Sequence, residues 1–214
     1  MAKLQLALDC IGMEEAVDLV RSLEEEIDIL EAGTPFLMEN GVQALKTLRA
    51  AFPGKILLAD SKIMDAGSYE AASFFSAGAD IVTVLGVTDD QTILDCLDAA
   101  KRCGGDVLVD MLCVPDLERR AAELMALGAK KIAVHTGVDA QKLGRTPLGD
   151  LKTLAGCVSE AEIFVAGGLT PETAPDYLAY NPAVLIVGSY VLGAKDRIWA
   201  ARRMREVIQR GGNQ

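Results

Sequence analysis

Residues 55–85 read KILLADSKIMDAGSYEAASFFSAGADIVTVL, and this stretch decides the fold. Ile56 to Ala59 form a short apolar run rich in the residues of a strand buried on both faces. SYEAASFFSAG follows with helical character and stops at Gly78, where a helix C-terminal glycine belongs. DIVTVL then starts a second apolar run. Strand, helix and strand in about 30 residues make one crossover unit of a parallel sheet. Between the first run and the helix, Asp60, Lys62 and Asp65 arrive within six positions. A strand leaving the core into water would explain one such junction, so the rest of the chain has to decide whether these charges act.

Outward from this unit the pattern recurs. Apolar runs begin at Leu4 (LQLAL), Ile27 (IDIL), Lys55 (KILLA), Asp80 (DIVTVL), Asp106 (DVLV), Lys131 (KIAV), Ile163 (IFVA) and Val184 (VLIV), about 26 residues apart on average. The intervening segments carry helical punctuation. GVQALKTLRAAF has apolar residues at 42, 45, 48 and 52 and stops at Pro53-Gly54, while LERRAAELMALG ends on Gly128. Thr170-Pro171 reads as a helix N-cap and first helical residue. SAGAD (76–80) and ALGAK (126–130) repeat one joint, and no linker or low-complexity tract divides the chain. Eight strands alternating with helices predict an α/β fold, a (β/α)8 TIM barrel, as a single domain over residues 1–214. An open doubly wound sheet would want G-x-G-x-x-G after its first strand, where this chain has Asp9-Cys10-Ile11-Gly12.

Composition narrows the function. Of 214 residues, half are hydrophobic and 24% charged, with a formal net charge of −10. The acidic balance argues against nucleic acid and against an anionic membrane surface as partners. The opening MAKLQLALD has too short an apolar run for a signal peptide, and no stretch reaches membrane-spanning length. The five cysteines show no C-x-x-C spacing, so reduced core or near-core thiols in a cytoplasmic protein are expected, not a metal cage.

The polar residues fall at strand ends. Asp9, Glu31, Asp60, Asp110 and His135 close five strands, Gly167-Gly168 the seventh and Gly188-Ser189 the eighth; no matching set is expected at the strand starts. In a barrel these ends share one face, the face where sites are built. Asp60 and Lys62, two apart, should point to the same side of their strand. A lysine beside carboxylates keeps its charge and can stabilise a substrate oxyanion. Glu31 and Asp60 end neighbouring strands and suit a partial Mg²⁺ shell completed by water and substrate oxygens, although relief of their charge by Lys62 alone is the competing reading. His135 is a candidate general acid or base, or else a core histidine with satisfied nitrogens. The glycine turns after strands seven and eight occupy a barrel's usual phosphate position.

D-x-K-x-x-D at the end of the third strand of a short barrel resembles the orotidine 5′-phosphate decarboxylase superfamily. Within it, ADSKIMDAG (59–67), VTVLGVTDD (82–90), LVDML (108–112) and VHTGVDAQ (134–141) resemble the 3-hexulose-6-phosphate synthase family. The likeness runs from LQLALD to VGSYV and extends to 3-keto-L-gulonate-6-phosphate decarboxylases. It implies Mg²⁺ on Glu31 and Asp60, His135 moving the proton, and Lys62 flanking the reacting carbon together with Asp65 from the other subunit of a homodimer. It also implies Asp9 and Asp110 holding substrate hydroxyls and a phosphate at Gly167, Gly168, Gly188 and Ser189. The implied reaction joins formaldehyde to D-ribulose 5-phosphate, reversibly, through an enediolate. Decarboxylases typically carry glutamate at the place of Asp110 and arginines at those of Val138 and Ser189, so these departures favour the synthase. A decarboxylase using the same enediolate is the alternative. A non-catalytic phosphosugar-binding barrel is a third reading, but it has no use for Lys62, Asp65 and His135 together.

Overall fold

Each apolar run forms a strand: β1 (Lys3–Leu8), β2 (Ile29–Ala32), β3 (Ile56–Ile63), β4 (Ile81–Leu85), β5 (Asp106–Asp110), β6 (Lys131–His135), β7 (Glu162–Ala166) and β8 (Val184–Val187). In this computed structural model, which describes residues 1–211, the strands pair in parallel and in sequence order, and β8 closes on β1. The fold is the expected (β/α)8 barrel. Residues 212–214, included in the domain predicted from sequence, lie outside the described residues.

The period of two along each strand sorts the apolar residues. Leu4, Leu6 and Leu8 of β1 join the outer core between barrel and helices. Ile29, Leu58, Ile81, Leu108, Ala133, Phe164 and Val184 point inward and plug the barrel, one from each strand from β2 to β8. Burying a side chain of this size contributes roughly 1.5–3 kcal/mol for the larger ones.

The helices follow the predicted punctuation, with differences. Helices Gly67–Ser76 and Leu117–Ala126 precede Gly78 (φ 109°) and Gly128 (φ 96°), as expected of glycines in the left-handed region. The pattern at 42–52 yields helix Gln43–Ala51, but a separate short helix, Thr34–Asn40, precedes it, and Gly41 at φ 60° divides the two. The helix placed at Thr170-Pro171 begins at Ala174; the Thr170 carbonyl still accepts the Ala174 N–H at 2.9 Å, so Thr170 opens the turn that leads into it. All five cysteines are free, yet only Cys96 is buried. Cys10, Cys103, Cys113 and Cys157 lie on exposed turns and helix ends, which corrects their expected core placement.

The last helix, Arg197–Gly211, ties the barrel's seam. Arg197, Arg202 and Arg205 pair with Glu15, Glu26 and Asp28 at 2.6, 2.9 and 3.0 Å. Among the described residues no helix is long and apolar enough to cross a membrane.

Candidate active site

One inward position beyond the plug, the chemistry changes. Two residues after Ile29, Leu58, Ile81, Leu108 and Ala133 stand Glu31, Asp60, Thr83, Asp110 and His135. The same alternation that fills the barrel therefore stacks a polar layer on top of it.

Asp60 is held on both oxygens. Oδ1 accepts from Thr83 Oγ1 at 3.0 Å and Oδ2 from Thr34 Oγ1 at 2.8 Å, while the Lys62 ammonium reaches them at 2.8 and 2.6 Å. Lys62 and Asp60 do meet, but plain strand alternation is not the cause. The β3–β4 register shifts between Ala59 and Ile63, and Lys62 sits at φ 46°. This bulge re-aims the side chain, and a non-glycine residue in the left-handed region carries strain of order 1 kcal/mol. Thr83 pins the distortion, because its Oγ1 accepts the Lys62 N–H at 2.9 Å and its carbonyl accepts the Ser61 hydroxyl at 2.9 Å.

Asp110, 2% exposed, stands beside the Lys62 ammonium and the His135 ring. Its Oδ2 lies 2.8 Å from His135 Nδ1 and 3.6 Å from Lys62 Nζ, and its Oδ1 accepts the Leu112 N–H at 3.0 Å. Burial opposes its charge, but the hydrogen bond and charge of His135, then Lys62, hold the carboxyl below the usual carboxylate range. An ionised Asp110 requires the proton on Nδ1 and leaves Nε2 as the ring's free nitrogen. Burial also opposes the Lys62 ammonium, but Asp60 and then Asp110 outweigh it and raise its pKa above that of an ordinary lysine. Lys62 is therefore a fixed cation between two carboxylates.

Glu31 and Asp9 complete the mouth. Glu31, 7% exposed, accepts from Gln5 Nε2 at 2.5 Å, and burial followed by repulsion from Asp60 pushes its carboxyl up to about 8. Asp9 is raised by burial and then by Asp60. Its oxygens occupy space that only glycines leave open, since a Cβ on Gly33 or Gly188 would lie 2.2 or 3.0 Å from them. Asp65 stands apart: exposed on the turn after β3, its Oδ1 accepts the Ala66 N–H at 2.7 Å and it does not meet Lys62. Gly167 (φ 124°) and Gly168 (φ 68°) follow β7 in the left-handed region, and a Cβ on Gly167 would meet the Thr136 carbonyl at 2.6 Å. Gly188 precedes a one-turn helix, Ser189–Leu192.

The opposite end corrects an expectation. The strand starts do carry a matching set of charges, but several of them are paired: Lys131 lies 2.6 Å from Asp106 and 3.0 Å from Glu162, and Asp80 lies 2.5 Å from Arg49. Asp28, where burial alone would raise the carboxyl, is lowered by Arg205 and the Leu4 N–H. Surface depressions of about 440 and 320 Å³ also lie at this end, lined by these residues, so concavity does not mark the site. What distinguishes the mouth is imbalance: Asp9, Glu31, Asp60 and Asp110 surround one lysine and one histidine.

That surplus suits a cation. Among the described residues no three of His, Cys, Asp and Glu converge as a ready metal cage. Mg²⁺, however, is ordinarily held by one or two carboxylates with water and substrate completing its shell, and Glu31 and Asp60 on adjacent strands fit that habit. Sequence reading does not single out Gln5, Thr34 or Thr83. Gln5 and Thr83 are the lone polar residues in LQLAL and IVTVL, a signal that could have found them; Thr34 has none.

Comparison with known proteins gives the chain its relatives. A 3-hexulose-6-phosphate synthase of Bacillus subtilis is 43% identical over 209 residues, covering 98% of this chain and all of that one. The crystal structure of 3-hexulose-6-phosphate synthase from Salmonella typhimurium superposes with a TM-score of 0.96 at 46% identity, covering 98% of this chain and 99% of that chain. KGPDC from Streptococcus mutans superposes with a TM-score of 0.90 at 28% identity, over 98% of each chain. The family model described as orotidine 5′-phosphate decarboxylase / HUMPS matches residues 2–204, which takes in all eight strands and every residue of the mouth. The chain belongs to the orotidine 5′-phosphate decarboxylase / HUMPS family.

Proposed function

We propose that this protein joins formaldehyde to D-ribulose 5-phosphate, giving D-arabino-hex-3-ulose 6-phosphate in a reversible aldol-type reaction. The observation that supports the reading is the linked set His135–Asp110–Lys62–Asp60, in which His135 Nδ1 and Lys62 Nζ lie 2.8 and 3.6 Å from the same Asp110 oxygen. The synthases also resemble the chain at 39–46% identity, against 27–28% for the decarboxylases.

In this reading the phosphate lies at Gly167, Gly168, Gly188 and Ser189, and Asp9 and Asp110 stand by the sugar hydroxyls. His135 Nε2 removes the proton beside the ketone, and Lys62 faces the oxygen on which negative charge collects. The carbon so activated attacks formaldehyde, and His135 returns its proton to the new alkoxide. Mg²⁺ held by Glu31 and Asp60 would supply further positive charge to oxygens at the mouth. Asp65 reaches the site of a second copy, so the active form is a homodimer. Free thiols on exposed turns suit a reducing cytoplasm.

The test is an assay of the pure protein with ribulose 5-phosphate plus formaldehyde and, separately, with 3-keto-L-gulonate 6-phosphate. Turnover is expected in the first, lost with EDTA and restored by Mg²⁺. Decarboxylation alone would reassign the activity to the sister reaction. Binding of ribulose 5-phosphate without turnover in either assay would reduce the protein to a phosphosugar-binding barrel.

A further inference from the structure

At the level of the plug, seven strands contribute apolar residues and β1 contributes Gln5, which is wholly buried. It lies opposite Ile29 of β2 and Ile186 of β8 in register. Its Nε2 donates to Glu31 Oε2 at 2.5 Å, whereas its Oε1 is the single buried side-chain polar atom without a partner among the described residues. An apolar side chain of the same volume would match the layer and leave no oxygen stranded. Packing therefore does not account for an amide here; its one bond to Glu31 does. That bond fixes Oε2 from below. Glu31 Oε1 takes no hydrogen bond from the chain and is not sealed from solvent, so it is the oxygen left facing the mouth.

We propose that Gln5 is a positioning residue: it sets the orientation of the Glu31 carboxylate and thereby the affinity of the mouth for a divalent cation. The inference rests on the metal role given to Glu31 and Asp60 above. Removing a group that orients a metal ligand typically weakens binding 10–100-fold.

Manganese titrated into the purified protein, with free Mn²⁺ read by electron paramagnetic resonance, tests it without reference to turnover. Gln5→Met keeps the volume and deletes the amide; Gln5→Asn keeps an amide one methylene too short to reach Glu31. Both are expected to raise the Kd for Mn²⁺ roughly 10–100-fold. Gln5→Met removes the stranded oxygen but also leaves Glu31 Oε2 without its donor, so its cation-free melting point serves only to show that the variant folds. A purely structural Gln5 would leave the Kd unchanged whatever the melting point does, and that overturns the proposal. If Gln5→Met does not fold, the Kd of Gln5→Asn decides. Absence of saturable Mn²⁺ binding in the parent protein overturns the metal reading, and the Gln5 proposal with it. Parent-like binding in the variants overturns the Gln5 proposal alone.

Discussion

Glu31 is the side chain on which the uncompensated charge of the mouth falls. Its carboxyl is raised from 4.5 to about 8, by burial and then by Asp60. Between those values the folded chain holds a proton that the unfolded chain has released, so this group makes stability fall as pH rises from about 5 to 8. The loss is on the order of a few kcal/mol. In EDTA, the melting point of the parent should drop across that interval, and Glu31→Gln should flatten the drop. Parallel curves would mean that the strain lies elsewhere. At this scale the ionisable residues were legible, because a charge at the end of an apolar strand stands out. The residues that orient them were not: a glutamine or threonine in a strand carries no charge, and only the inward parity of Gln5 and Thr83 gives them away.

Among the elements, β3 matters most. A regular strand would have brought Asp60 and Lys62 to one side; the bulge does so by a different route, and Thr83 on β4 secures it. Thr83→Val deletes the hydroxyl while keeping the shape, leaving Asp60 Oδ1 and the Lys62 N–H each one partner short. Loss of about 1–3 kcal/mol of stability is expected from denaturant unfolding, with a fall in kcat as Lys62 loses its aim. Thr83→Ser should recover most of both. If Thr83→Val unfolds like the parent and turns over normally, the hydroxyl does not hold the bulge. The strands themselves were legible from their apolar runs. The bulge was not, because it depends on a hydroxyl across the sheet, and helix Thr34–Asn40 was too short to show a period of its own.

For the molecule as a whole, eight runs at regular spacing made the barrel legible, whereas the supposed bareness of the strand starts was a misreading. Charges stand at both ends, and only pairing, which is a property of three-dimensional neighbours, tells them apart. Asp65, turned away from Lys62 in its own chain, bears on assembly. If each site takes Lys62 from one copy and Asp65 from the other, Lys62→Ala and Asp65→Ala should each be inactive alone. After subunit exchange, the mixture should return roughly a quarter of parent activity, since about half the dimers would hold one intact site of two. No recovery, with exchange confirmed by mass, would return Asp65 to its own barrel. The seam carries a different consequence. Arg197, Arg202 and Arg205 reach partners 182, 176 and 177 residues earlier in the chain, and β1 must pair with β8. At about 5–20 residues per second, roughly 10–40 s separate the synthesis of the two sides of that seam. Throughout that interval the growing sheet has two open edges, and the edge of β1 stays available to a wrong strand until β8 is made.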